Sequence, residues 1–104
     1  MKEWPVDVGG GGSTDSMNGT WPFARLRADA NTVEFSLFSK HYSIERMDVV
    51  EFSRYRYLVT RALRIVHRRS DLPKLLLFYA FGYARLMRQL EKLGYTVREK
   101  CSVV

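Results

Sequence analysis

A chain of 104 residues that is 46% hydrophobic and 13% aromatic holds one domain and carries too much apolar surface for a disordered protein. Its longest apolar run, LLLFYAFGYA, stops at Arg85 and falls short of the roughly 20 residues of a membrane helix, so no membrane-spanning helix is expected in it. The net charge of +6 is uneven: residues 1–20 set one lysine against three carboxylates, −2, which leaves +8 on residues 21–104. A basic domain of this kind meets nucleic acid, an anionic membrane surface or an acidic partner, or uses its charge only for solubility.

The N-terminal MKEWPVDVGGGG lacks the basic and then apolar regions of a secretory leader, so a cytoplasmic protein is expected, with the inner face of the membrane as the alternative location. From Gly9 to Gly19 the sequence GGGGSTDSMNG has no apolar side chain except Met17, a composition that behaves as flexible coil. Residues 1–20 are therefore expected to be a flexible tail or linker. From Trp21 the texture changes to period-two alternation. In WPFARLRA, Ala24, Leu26 and Ala28 alternate with Phe23, Arg25 and Arg27, and in NTVEFSLF, Val33, Phe35 and Leu37 alternate with Glu34 and Ser36. Asp29 and Asn31 lie between them as turn residues, so the two segments predict a hairpin.

HYSIE predicts a shorter strand with Tyr42 and Ile44 on one side. MDVVEFSRYRYL and RALRIVHR follow, dominated by β-branched and aromatic residues, with Leu63, Ile65 and His67 opposed to Arg64, Val66 and Arg68. Ser70 to Pro73 predict a turn, in which Asp71 reads as a turn residue rather than a base. PKLLLFYAF is apolar on both faces, so it must be covered from outside the sheet. GYARLMRQLEKLG supplies the cover: Tyr83, Leu86, Met87, Leu90 and Leu93 recur at helical spacing, Arg85, Arg88 and Lys92 face outward, and Gly94 ends the helix. Six strands and one C-terminal helix, with tight connections, predict a mainly β protein, an antiparallel meander curled into a barrel or sandwich. Residues 98–104 are expected to be a disordered tail. Their Cys-Ser-Val-Val ending imitates a prenylation box, but valine is not a usual last residue there.

The succession from WPFARLRADANTVEFSLF through RALRIVHRRSDLPKLLLFYAF to LMRQLEKLGY resembles bacterial PH-like domains, the small prokaryotic relatives of pleckstrin-homology domains, over about residues 21–97. The resemblance implies a bent antiparallel β-barrel of six to seven strands closed by a C-terminal α-helix. It also implies a non-enzymatic scaffold whose relatives self-associate. The lipid-binding relatives carry cations on both of the first two strands. Here Arg25 and Arg27 occupy the first, but Glu34 stands on the second where a cation belongs, which departs from phosphoinositide recognition.

The residues themselves offer little chemistry. His41 and His67 are far apart and neither has a second ligand at metal-binding spacing, and Cys101 is the single cysteine, so no metal site, no disulfide and no cofactor are expected. His-Arg-Arg-Ser-Asp-Leu echoes a kinase catalytic loop, but the glycine-rich loop and the strand lysine that such a loop works with do not occur. A small-molecule substrate and an enzymatic activity are not expected. Arg54, Arg56, Arg61, Arg64, Arg68, Arg69 and Lys74 are the candidate anion- or partner-binding residues, gathered at one barrel edge where their summed field attracts phosphate or acidic groups. A solvated edge that discourages strands of neighbouring molecules from pairing is the alternative reading. The expected function is contact with a protein partner or with a second copy, the alternative is peripheral binding of anionic lipid headgroups, and nucleic-acid binding through the Arg54 to Tyr57 alternation ranks third.

Overall fold

The computed structural model describes residues 4–15, 17–57, 60–79 and 82–102. They form eight strands and one α-helix: β1 (Val6–Thr14), β2 (Asn18–Ala28), β3 (Thr32–Leu37), β4 (Lys40–Glu45), β5 (Val49–Tyr57), β6 (Thr60–His67), β7 (Leu76–Tyr79), α1 (Tyr83–Lys92) and β8 (Val97–Ser102), with a 3-10 turn at Arg46–Asp48 before β5. The strands build one sheet in the order β4-β3-β2-β1-β7-β6-β5-β8. Seven of them pair antiparallel, and β8 joins β5 in parallel, so the sheet is mixed. Its order is linear with β4 and β8 at the edges, and among the described residues it does not close into the expected barrel. No helix there is long and apolar enough to cross a membrane.

The β2–β3 hairpin follows the predicted alternation. Ala24, Leu26 and Ala28 face Leu37, Phe35 and Val33 across it, and all six are buried. Asp29 makes the turn: its carboxylate accepts from the N–H groups of Asn31 and Thr32, both at 2.8 Å, as a short polar side chain does when it replaces a backbone partner. Leu63 and Ile65 of β6, Phe52 of β5, and Leu76 and Phe78 of β7 enter the same core.

Helix α1 lays Leu86, Met87 and Leu90 onto that core, as the spacing requires. It ends in a Schellman arrangement. Gly94, at φ 95°, donates to the Glu91 carbonyl at 2.9 Å, and the Tyr95 N–H reaches the Leu90 carbonyl at 3.2 Å. Only glycine takes that left-handed position without a Cβ penalty, so the predicted stop is a physical one.

The two ends depart from expectation. Val6–Thr14, which composition assigns to a flexible tail, is a central strand that pairs with β2 along most of its length and with β7 from Gly11 to Thr14. Gly10, Gly11 and Gly12 are buried, and the register shifts between Gly10 and Gly12. Glycine is suited to such a place because neighbouring backbone and rings come too close for a side chain. Val97–Ser102, in which the residues from 98 on are expected to be a disordered tail, lies along β5 from Phe52 to Tyr55. The count of six strands fell short by these two.

Candidate functional site

The seven cations predicted to converge are divided by strand register. Arg54 stands opposite Leu63, and Phe52 opposite Ile65, so Arg54 belongs to the core face. Its guanidinium lies 5.7 Å from the centre of the Tyr83 ring, under the start of α1. Arg64 is paired with Ser53 on one side and Leu77 on the other and therefore belongs to the opposite face. Arg56 and Arg61 are directly opposite each other in the β5–β6 register; their side chains lie outside the described residues. Arg68 and Lys74 are exposed.

Arg69 has a defined task. Its Nε and Nη2 donate to the two carboxylate oxygens of Asp71 at 3.0 and 2.6 Å, and its Nη1 donates to the Ser43 carbonyl at 3.3 Å. The Arg69 guanidinium beside Asp71 holds that carboxyl below its ordinary range, although both groups are so exposed that the pair itself adds little stability. The contact with Ser43 matters more, because β4 is an edge strand and the guanidinium occupies one of its carbonyls. A charged side chain placed there hinders another chain from pairing with the edge. His67 completes the turn. Its Nδ1 accepts from the Arg69 N–H at 3.1 Å, which leaves the ring proton on Nε2, where it is donated to the Pro73 carbonyl at 2.7 Å. Both ring nitrogens are thereby used in holding the backbone.

A second surface was not anticipated as a site. Trp21 and Phe23 of β2 lie where the β1–β2 register breaks, between Gly19 and Ala24, and are 62% and 53% exposed; Phe38, in the β3–β4 turn, is 47% exposed. The rings of Phe23 and Phe38 stack with centroids 5.1 Å apart. Phe38 has φ 55°, a left-handed conformation that a bulky residue adopts at a cost on the order of 1 kcal/mol or more. The alternation in WPFARLRA already put Phe23 on the outward side; the signal was an aromatic residue at positions where polar ones are the rule.

The charge beside these rings is balanced. Asp7 of β1 accepts from Arg25 Nε and lies 3.6 Å from Arg27 Nε, and Arg27 is paired in register with Glu34. The hydrogen bond from Arg25 holds the Asp7 carboxyl below its usual value, and the neighbouring Arg27 adds to this. A cavity of about 550 Å³ opens nearby, where Trp4, Pro5, Asp7 and Val8 face Gly82, Arg85, Leu86 and Gln89 of the α1 region.

No protein-family model matches the chain, and no curated protein is significantly similar to it.

Proposed function

We propose that the chain is a non-enzymatic, PH-like interaction domain that works by contact with another protein or a second copy of itself, and that the contact is made by Trp21, Phe23 and Phe38. The PH-like part of this reading is supported by seven strands in antiparallel pairing followed by a single helix on the core; the parallel β8 is an addition to that pattern. The observation that carries the function is the exposure of three large aromatic side chains, two of them stacked on each other and one held there against backbone preference. Aromatic residues anchor protein interfaces because they bury much area at a small entropic cost, and exposed groups of them are uncommon on chains that meet nothing.

Charge argues for protein rather than lipid. The Asp7 and Glu34 carboxylates offset Arg25 and Arg27, the cations next along β2, which removes the cationic excess that anionic headgroups require.

Phe38→Gly separates function from folding. Glycine relieves the positive φ, so stability is expected to stay within about 1 kcal/mol of the parent by urea unfolding while the aromatic stack is lost. Light scattering of the parent is expected to give a defined oligomer, or affinity capture a single stoichiometric protein, and Phe23→Ser with Phe38→Gly is expected to abolish either. A parent that stays monomeric and captures nothing overturns the reading, and equal retention on vesicles of phosphatidylglycerol and on the protein partner would reinstate lipid binding.

A further inference from the structure

The geometry points to a binding site for a phosphate group on the outer face of β5 and β6, formed by Ser53 and Arg64. It lies on the other half of the sheet from the aromatic face and does not depend on the reading given above. Ser53 is 1% exposed and its Oγ has no hydrogen-bond partner. Arg64, directly across the antiparallel register, has a buried Nε that is likewise without one. The surroundings are dry: Leu77, the other neighbour of Arg64, and Ala62 are buried, yet they stand on the face that α1 does not cover.

Buried polar atoms without partners are rare in native proteins; Arg27 Nε and Arg54 Nε are others among the described residues, but Ser53 and Arg64 stand directly opposite each other in the register, so one cause accounts for both. The Nε–H is only a donor and the hydroxyl carries a second donor hydrogen. A hydroxyl is able to accept from the Nε–H, but no such bond joins them here. One oxyanion with several lone pairs satisfies both donors at once, and guanidinium is the side chain whose fork fits phosphate oxygens. The local charge agrees. Arg98 of β8 is the parallel neighbour of Ser53 and is held by Glu51 at 3.3 Å, so these two cancel and the Arg64 charge remains for the ligand.

The test follows the Arg64 Nε–H and Ser53 amide resonances of the full chain during titration with inorganic phosphate, against chloride at equal ionic strength. The expected result is a saturable shift specific to phosphate. Ser53→Ala is nearly isosteric, and with a spectrum as dispersed as the parent's it is expected to weaken binding about tenfold, the effect of losing one hydrogen bond to a charged ligand. Arg64→Gln is expected to abolish the shift. Phosphatidylglycerol and phosphatidylcholine vesicles separate the sources: a response to the first alone, on the same resonances, assigns the phosphate to a lipid headgroup, and a response to inorganic phosphate with neither vesicle assigns it to a free ester. No phosphate-specific shift in any arm, or a shift that Ser53→Ala leaves unchanged, overturns the site.

Discussion

Alanine at Gly10 is expected to abolish or severely weaken folding, whereas alanine at Gly9, one residue earlier in the same run, is expected to be close to neutral. A Cβ on Gly10 would collide with the backbone carbonyl oxygen of Tyr79 and come within 3.0 and 3.1 Å of two Phe78 ring carbons. The carbonyl belongs to β7, which is fixed to β1 by the Gly11–Tyr79 register and to β6 beyond it, so it has no direction in which to retreat. Overpacking a core usually costs about 1–3 kcal/mol, and a clash with backbone rather than with a flexible side chain belongs at or above the upper end. A loss of about 3 kcal/mol removes a large part of the stability of a small domain. Gly9 differs in kind. The nearest atom to its added Cβ is Trp21 Nε1 at 3.9 Å, an ordinary contact, and alanine there restricts the unfolded chain, so a change within about 1 kcal/mol is expected. Urea midpoints of the two variants check both. Equal midpoints would return the segment to the flexible tail that its composition suggests.

The same run shows where sequence reading stops. Periodicity needs side chains, and four consecutive glycines have none, so nothing in GGGG distinguishes a loose linker from a strand enclosed between β2 and β7. Val6 and Val8, at alternate positions before it, were the available sign: Val6 is buried opposite Ala28 and Val8 stands opposite Leu26. β8 is hidden for a related reason, because its polar VREKCS becomes a strand through parallel pairing with β5. Where side chains carried the pattern, as in the β2–β3 hairpin and the Leu86, Met87 and Leu90 face of α1, the fold was legible.

For the cations the limit was register rather than periodicity. Parity within β5 already puts Arg54 with Phe52 on the core side, and parity within β6 opposes Arg64 to Leu63 and Ile65. Gathering them at one edge ignored that division, and only the pairing of β5 with β6 shows which residues meet. Arg69 kept its place beside the turn, but its use is to hold Asp71 and the Ser43 carbonyl, a contact between segments 26 residues apart. Such a contact leaves no trace in local spacing.

Arg46 was missed for the same reason, and its removal is expected to be the most damaging change to any exposed side chain among the described residues. Nη1 donates to the carbonyls of Ala30 at 2.7 Å and Leu93 at 2.9 Å, Nη2 to that of Gly94 at 2.8 Å, and the guanidinium lies 5.0 Å from the centre of the Tyr95 ring. One side chain on the 3-10 turn therefore ties the β2–β3 turn to the end of α1, where the helix leaves carbonyls unpaired and its dipole favours a cation. Tyr95 closes the circuit, its hydroxyl donating to the Asp29 carbonyl at 2.6 Å, with burial pushing its own ionisation upward. Hydrogen bonds from charged groups are worth about 1.5–3 kcal/mol each when sheltered, and exposure to water reduces that, so Arg46→Ala is expected to cost about 2 kcal/mol in all. Arg46→Lys is expected to recover less than half, because one ammonium cannot serve three carbonyls arranged for a planar fork. Urea unfolding measures both. Amide exchange localises the effect: the Gly94 and Tyr95 N–H groups, which close the end of α1, and the Asn31 and Thr32 N–H groups, which close the β2–β3 turn, are expected to exchange faster together in Arg46→Ala. Faster exchange at the helix end alone would show that Arg46 serves only as a helix cap, and an unchanged midpoint would show that its bonds to carbonyls merely replace bonds to water.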